Sequence, residues 1–298
     1  MTDSVPGSLQ SAGGQTSQGA PSSLPELVRF QKVTKVFGTG PGAKIAISEV
    51  SFVVQDLPNV GEMITIVGPS GCGKSTVLRI LAGLPPHFPP TSGTVTVFGK
   101  PAGGPGADRG LVDQKYSLLP HLRVLDNVAF GLMLRGVSRG ERHAQAREWV
   151  KKVGLEGSEM KFPAELSGGM QQRVAIAATL ILHPRIILMD EPFGALDPKI
   201  RLHMQELLVQ LWREQQSTVF FVTHSVEEAL YLGDRVYRMS TRPGRLVEEV
   251  EAPRPDEPPE VMRKQSWFVE MTHDLLRKLE EDVPSSPHAG TPDAFAGP

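Results

Sequence analysis

Two widely separated segments of the chain have the residue types that bind phosphate through backbone N–H groups. GPSGCGKST at 68–76 has the spacing G-x-x-x-x-G-K-[ST], and LSGGMQQR at 166–173 places a serine and two glycines before a run of helix-forming residues. A small polar residue before a helix is typical of a helix N-terminus, which attracts anions through its free N–H groups and its dipole. The sequence therefore predicts two phosphate-binding segments in one chain.

The first segment predicts a nucleotide site, because glycines let backbone N–H groups surround a phosphate without interference from a Cβ atom. It follows the apolar stretch MITIV and opens an apolar helix, as this mechanism requires; the alternative is a plain glycine-rich turn. We expect Lys74 to reach the β- and γ-phosphates and the Ser75 hydroxyl to ligate Mg²⁺. Loop N–H groups would lower the thiol pKa of Cys72; we favour the alternative of a small loop residue without chemistry. The predicted nucleotide-binding residues of this segment are Gly68, Pro69, Ser70, Gly71, Cys72, Gly73, Lys74, Ser75 and Thr76.

Four further polar residues follow short apolar stretches. Asp190 and Glu191 end the run RIILMDEP, His224 ends STVFFVTH, and Gln114 follows GLVD. Such stretches predict strands of a sheet whose carboxyl ends collect ligands. An acid there can hold Mg²⁺ or activate water, and an imidazole can bind a γ-phosphate. Taken singly, the acid pair also fits an ordinary strand end, and a lone histidine is more often structural.

Hydrophobic periodicity predicts the elements that position these residues. Apolar strands alternate with helices, which indicates a parallel sheet covered on both faces. Ser138 followed by Glu141 predicts a capped helix start. The predicted strands are 27–35, 45–54, 63–68, 92–100, 185–192 and 217–224, and the predicted helices are 124–137, 138–155, 170–182 and 202–215.

Composition limits the class of protein. The 298 residues suffice for one large α/β domain or two small ones, and the net charge of −2 gives no indication of nucleic-acid binding. One cysteine excludes an intrachain disulfide. The longest apolar run, VAIAATLIL at 174–182, is shorter than the roughly 18 residues that span a bilayer. Because the N-terminus also lacks a signal-peptide pattern, we expect a soluble chain that reaches a membrane only through a partner.

Both ends of the chain differ from the middle. Residues 1–24 and 281–298 are rich in small and polar residues and are predicted to be disordered. Between them, 259–282 places Phe268, Met271, Leu275 and Leu279 on one helical face. Such a helix packs on its own domain or, alternatively, serves docking or regulation.

The ordered set of motifs over residues 25–250 resembles the ATP-binding subunit of ABC transporters. It comprises GPSGCGKST, the Gln114 loop, LSGGMQQR, IILMDEP, GALD at 194–197 and VTHS at 222–225. The resemblance implies an α/β fold: a P-loop NTPase (RecA-like) core with a parallel-rich sheet, an antiparallel β subdomain and an inserted α-helical subdomain at about 115–173. Residues 1–24 would be a tail and 251–298 a C-terminal extension with one helix.

The resemblance also implies an ATPase that uses ATP and Mg²⁺. Lys74, Ser75 and Asp190 correspond to phosphate and magnesium residues, Glu191 to the catalytic carboxylate and His224 to a switch histidine. Gln114 corresponds to the glutamine that contacts the γ-phosphate and Mg²⁺. Phe37 stands where the family stacks an aromatic ring, more commonly tyrosine, on adenine; the alternative is a core aromatic at a strand end.

In this family the second segment binds the nucleotide of a second copy. Ser167, Gly168 and Gly169, within the segment that also holds Gln171, would cap the γ-phosphate bound by the partner's loop. Asp197 would lie at the interface between the two copies. A head-to-tail pair then has two composite sites, which explains why one chain carries two phosphate-binding segments.

The implied partners are integral-membrane permease subunits and, indirectly, a solute-binding protein, with no nucleic acid; the subunit would lie at the cytoplasmic face of the membrane. DQKYSLLPHLRVLDNVAFGL and the RPGR turn in MSTRPGRLVEEVE resemble the nitrate, sulfonate and taurine importers, which implies a small anionic solute. RPGR alone also fits a plain hairpin turn. His121 stands where the family often has tryptophan. GLPPHFPPTSG at 83–93 is longer and more proline-rich than the family's usual link, and we expect it to lie on the surface and to leave the site intact.

Three other functions compete with an importer ATPase. The first is an exporter or lipid-transport ATPase of the same fold. The second is an ABC ATPase acting on nucleic acid or ribosomes, which usually shows a coiled coil, a zinc insertion or tandem cassettes that this sequence lacks. The third is a nucleotide-binding regulator without turnover, against which Glu191 and His224 argue.

Overall fold

The computed structural model describes residues 24–58, 60–114, 117–254 and 256–282. The predicted disordered tails lie outside these ranges except at their inner ends, where Glu281 is still helical. Within the described ranges, none of the helices has the length and apolarity needed to cross a membrane.

The strands and helices follow the predicted alternation. The strands are β1 Glu26–Phe37, β2 Lys44–Gln55, β3 Met63–Val67, β4 Ser92–Val97, β5 Lys100–Pro101, β6 Arg109–Val112, β7 Ile186–Asp190, β8 Thr218–Thr223, β9 Arg235–Ser240 and β10 Arg245–Glu251. The helices are α1 Lys74–Leu81, α2 Val124–Leu134, α3 Arg139–Lys152, α4 Gly168–Leu180, α5 Pro198–Gln215, α6 Val226–Leu232, α7 Pro259–Met262 and α8 Ser266–Glu281.

The strands form two sheets. Six strands in the order β10-β9-β3-β8-β7-β6 form the larger sheet, in which β9, β3, β8, β7 and β6 are parallel and β10 is antiparallel to β9. The smaller sheet, β2-β1-β4-β5, is antiparallel. This architecture confirms the predicted fold class.

The prediction of a single strand over 92–100 is wrong at its C-terminal end. The chain turns at Phe98 and Gly99, which both have positive φ, and Val97 pairs with Lys100. Two consecutive positive φ angles are the geometry of a two-residue hairpin turn. The segment is therefore the β4–β5 hairpin.

Both faces of the larger sheet are buried, as expected for parallel strands. Met63, Met189 and Phe221 face one core, which is shared with helices α2 to α6. Ile64, Leu188 and other alternate residues face a second core, shared with α1 and the antiparallel sheet. Burial on both faces explains why these strands appear in the sequence as nearly continuous apolar runs and not as alternating ones.

Three helices lie between β6 and β7 in the chain and pack against one another. Ser138 caps α3, as predicted, with its Oγ accepting a hydrogen bond from the Glu141 N–H. α4 begins at Gly168 rather than at the expected residue 170, because Ser167 is its N-cap. The two glycines of the second phosphate-binding segment therefore form the first turn of a helix.

The last helix packs on its own chain. Phe268 and Leu275 are buried in the core that faces α6, and Met271 and Leu279 pack against it. The helix predicted over 259–282 is interrupted between Met262 and Ser266. The prediction of packing on its own domain is confirmed, and α8 shares a core with residues that precede the predicted boundary at 250.

Replacement of Leu275 by alanine tests this packing. We expect L275A to lower the free energy of unfolding by about 2–5 kcal/mol, since it removes buried methyl groups and leaves a cavity. Leu276, its neighbour, is 44% exposed, so L276A should change stability by no more than about 0.5 kcal/mol. Urea unfolding measures both. Equal, small effects would mean that α8 does not pack on the core.

Candidate nucleotide-binding site

The phosphate loop connects β3 to α1, as the sequence predicts. Gly73 has φ of 97°, and a Cβ atom there would lie 2.4 Å from Cγ2 of Ile47, so only glycine fits. Lys74 is buried, and its Nζ donates to the carbonyls of Gly68 at 2.8 Å and Pro69 at 3.2 Å. The loop therefore curves around a buried ammonium group.

Ser75 and Asp190 meet at the start of α1. The Ser75 hydroxyl donates to Oδ1 of Asp190 at 2.7 Å. Burial raises the pKa of Asp190, while the Ser75 hydrogen bond and the charge of Arg79 oppose that rise. Arg79 lies 3.5 Å from Asp190 Oδ2 and 3.8 Å from Asp113 Oδ1. Sequence reasoning missed Arg79, although its place one helical turn after Ser75 is a spacing that brings side chains together.

Glu191 and His224 lie beside the loop. One Glu191 oxygen is 4.0 Å from Lys74 Nζ, and the other is 3.3 Å from Nδ1 of His224. Glu191 has φ of 44°, a conformation that is uncommon outside glycine and is often found at functional sites. The structure thus brings a cation, a carboxylate and an imidazole together at the carboxyl edge of the sheet.

A cavity of about 330 Å³ opens next to this cluster. Such a volume lies at the lower end of the range of small-molecule sites. Sequence reasoning missed Lys44 and Ala46, for which no motif gave a signal. The lining residues are Phe37, Lys44, Ala46, Ser70, Gly71, Gly73, Lys74, Ser75, Thr76 and Glu191.

Gly68, Pro69 and Cys72 belong to the predicted loop but do not line the cavity. The Cys72 side chain is fully buried, with Sγ 4.0 Å from Lys74 Nζ. Burial raises the pKa of the Cys72 thiol. The hypothesis of a lowered thiol pKa is therefore wrong, because loss of hydration outweighs the nearby positive charge.

The turn at 241–244 supports the back of the phosphate loop. Gly244 packs so closely that a Cβ atom would lie 1.8 Å from the Cys72 carbonyl oxygen. Its N–H donates to the carbonyl of Ala46, and its own carbonyl accepts from the N–H of Ser48. The RPGR sequence does form a hairpin turn, and it also joins the phosphate loop to β2.

Gln114 lies apart from the cluster. It follows β6 by two residues, is exposed, and does not line the cavity. Val112 pairs with Met189, which places Gln114 on the same sheet edge as Glu191, one strand away. Gln114 therefore lies at the expected edge of the sheet, although it does not line the cavity.

The second predicted phosphate-binding segment does not line the cavity of its own chain. Ser167 and Gly168 are exposed, whereas Gly169 is buried. Gln171 donates its side-chain amide to the carbonyls of Pro163 and Leu166, so it fixes the segment before α4. Asp197 is exposed and caps α5 by accepting from the Ile200 N–H at 3.0 Å. None of these residues lines the cavity.

A buried polar network connects α5 with the strand end that carries His224. Glu228 accepts hydrogen bonds from Thr223 at 2.6 Å and from Gln205 at 3.1 Å. Arg201 Nε lies 3.6 Å from the same carboxylate. Sequence reasoning missed these residues, because each is unremarkable until the fold brings them together.

Comparisons with known proteins agree with this geometry. Residues 51–194 match the family described as ABC transporter. The dimeric, post-hydrolysis structure of the ATP-binding cassette MJ0796 bound to ADP and Pi superposes with a TM-score of 0.66, at 34% identity, covering 76% of this chain and 99% of that one. The chain belongs to the ATP-binding subunits of ABC transporters and is an ATPase.

Two relatives narrow the class further. Taurine import ATP-binding protein TauB of Burkholderia pseudomallei is 49% identical over 217 residues, 73% of this chain and 81% of the relative. Nitrate import ATP-binding protein NrtD of Synechocystis is 46% identical over 218 residues, 73% and 79% of the two chains. The predicted resemblance to the nitrate and taurine group is confirmed, and the exporter alternative is not favoured.

Glu191→Gln tests the hydrolytic cluster. We expect ATP binding to remain, because the phosphate loop is untouched, and kcat to fall by about 10²-fold or more, because the amide cannot accept a proton from water. Phosphate release measures kcat, and a fluorescent nucleotide measures affinity. Glu270→Gln, on the exposed face of α8, is the matched control. Normal turnover by E191Q would refute the role of Glu191.

Proposed function

We propose that this chain energises the uptake of a small anionic solute through a membrane permease, by binding and hydrolysing ATP at a head-to-tail dimer. One observation carries the proposal: the exposed Ser167–Gly168 turn lies outside the cavity of its own chain. Because this phosphate-binding segment does not line the cavity of its own chain, it is available to bind the nucleotide of a second copy. The names of the taurine and nitrate relatives support a sulfonate- or nitrate-type solute.

The phosphate loop would bind the triphosphate, and Ser75 and Asp190 would hold Mg²⁺. Their oxygens are 2.7 Å apart, and Asp190 is 4% exposed. Magnesium usually takes one or two protein oxygens together with substrate phosphates, so this donor pair fits it. In the described part of the chain, no group of three or more His, Cys, Asp and Glu side chains could hold a metal. Bound Mg²⁺ would neutralise charge that develops on the phosphates.

Glu191 would orient the attacking water and accept its proton. Lys74 Nζ lies 4.0 Å from one oxygen of this carboxylate, and the contact of the other oxygen with His224 restricts its orientation. His224 is 53% exposed, so it remains accessible to a γ-phosphate. Gln114 would complete the site from the neighbouring strand, and Phe37 would stack on adenine.

Dimer closure would couple ATP to transport. Ser167, Gly168 and Gly169 of one copy would cap the γ-phosphate bound by the other, with Gln171 fixing that segment and Asp197 at the interface between the two copies. The dimeric cassette with 34% identity supports this arrangement. ATP that binds the closed dimer better than the open one shifts the population towards closure, and hydrolysis removes that preference.

The permease would bind the helical subdomain, predicted at about 115–173. This part of the chain exposes large apolar side chains: Leu134 is 70% exposed, Met160 61%, Met133 43% and Phe162 37%. Exposed apolar side chains of this kind are typical of protein contacts. The subunit would then lie at the cytoplasmic face of the membrane, and a solute-binding protein would deliver the solute to the other face. Nucleic acid is not an expected partner.

Ser167→Arg tests the dimer. The added side chain should block closure and lower ATPase activity at least about tenfold, while the affinity of the monomer for ATP stays unchanged. Size-exclusion chromatography of the Glu191→Gln background with ATP reports the dimer. Ser266→Arg, at the exposed start of α8, is the matched control. If S167R instead abolishes ATP binding by the monomer, the segment serves its own chain.

Co-purification tests the importer function. We expect the tagged subunit to recover a polytopic permease from solubilised membranes, and the ATPase activity of that complex to rise when its solute-binding protein is supplied with a sulfonate or nitrate. Mass spectrometry identifies the co-purifying chains. Reproducible recovery of soluble proteins or nucleic acid alone would overturn the importer proposal and leave the ATPase.

A further inference from the structure

The proline-rich segment at 83–91 contacts the predicted adenine residue. It connects α1 with β4, and its residues from 84 to 91 are exposed or half-buried, as expected of a surface segment. The ring of His87 lies 5.2 Å from the ring of Phe37, edge to face at 78°. Phe37 itself lines the nucleotide cavity. The segment therefore forms the outer support of one cavity wall.

Contacts with the three residues that precede Phe37 fasten this segment to β1. Lys35 donates from Nζ to the carbonyl of Pro89 at 2.8 Å, and the same ammonium lies 5.4 Å from the centre of the Phe37 ring. Thr91 accepts from the N–H of Val36 and donates its own N–H to the carbonyl of Thr34. Lys35 is 8% exposed, so this attachment is not a loose surface contact.

The surroundings of His87 favour the uncharged form of its ring. Burial lowers the pKa of His87, and the positive charges of Arg79 and Lys35 lower it further. Its Nδ1 is buried and has no hydrogen-bond partner among the described residues. An edge-to-face pair fixes the orientation of both rings, and a cation over one face adds to that preference. Phe37 is thus held by its neighbours before any nucleotide arrives.

We propose that His87 is a positioning residue for the nucleobase, and that the segment 83–91 holds Phe37 in the orientation that stacks on the base of a purine nucleoside triphosphate. This inference rests on the proposed role of Phe37. A ring that is already oriented loses less conformational freedom when the base binds, and this raises affinity without changing the chemical step. The segment at 83–93, which is longer than the family's usual link, therefore affects the KM for nucleotide.

His87→Ala tests the inference through a split between KM and kcat. We expect the KM for ATP to rise about two- to tenfold, the range of one aromatic pair, with kcat unchanged. Inhibition by inorganic tripolyphosphate should not change, because this probe contacts only the phosphate loop. His87→Phe keeps a flat ring and should restore the KM. His273→Ala, exposed on α8, is the control.

Lys35→Met provides a second route to the same result. It removes the hydrogen bond to Pro89 and should raise the KM for ATP in the same direction, so the test does not depend on one variant folding. Thermal unfolding monitors the fold of each variant. A parallel rise in the tripolyphosphate inhibition constant would show that the effect passes through the phosphate loop and would overturn the inference.

Phe37→Ala separates this inference from the proposed function. We expect F37A to raise the KM, and the double variant F37A/H87A to bind ATP no worse than F37A alone, since the two rings act as a unit. If F37A raises the KM and H87A does not, the proposed role of His87 is refuted while that of Phe37 is supported. If F37A leaves the KM unchanged, the proposed stacking of Phe37 on the base is refuted, and the inference about His87 is refuted as well.

Discussion

The parallel register of β3, β8 and β7 is the constraint on which the site depends. Val67 pairs with Thr223, and Val222 pairs with Asp190, so three distant parts of the chain end at one level. The Glu191 N–H continues this pairing by donating to the carbonyl of Val222 at 3.0 Å. A shift of one residue would exchange the side chains that the two apolar cores contain and would move the strand ends to different levels. The phosphate loop, the two carboxylates and His224 therefore lie close together because of the sheet register, and not because of any local sequence motif.

The site carries conformational and electrostatic costs that the surrounding structure offsets. Asp190 is a buried carboxylate with a raised pKa, stabilised by Ser75 and Arg79. Glu191 has positive φ, and its backbone is fixed by the sheet edge. Glu191 lines the cavity, and Asp190 is hydrogen-bonded to Ser75, which also lines it. Prearranged polar groups of this kind need no reorganisation when charge develops on a substrate.

Parts of the chain that motif reading treats as connections support the walls of the cavity. The turn at 241–244 presses on the phosphate loop through Gly244, and the segment at 83–91 presses on Phe37 through His87. Behind His224, the Glu228 network links the strand end to α5, whose first residue follows Asp197. The residues around the cavity and the start of α5 next to Asp197 are thus connected through packed side chains and hydrogen bonds.

The sequence by itself determined the α/β class with a parallel sheet, the phosphate loop and many of the strands and helices, because hydrophobic periodicity, helix capping and glycine spacing are local properties. β9, β10 and α6 were not among the predicted elements. The sequence also placed Asp190, Glu191 and His224 at strand ends, where the structure finds them. Only the tertiary structure decided that Arg79 reaches Asp190, that Cys72 is sealed from solvent, and that His87 contacts Phe37. These contacts join residues from separate elements, and their geometry follows from how the two sheets and α1 pack, which no local pattern encodes.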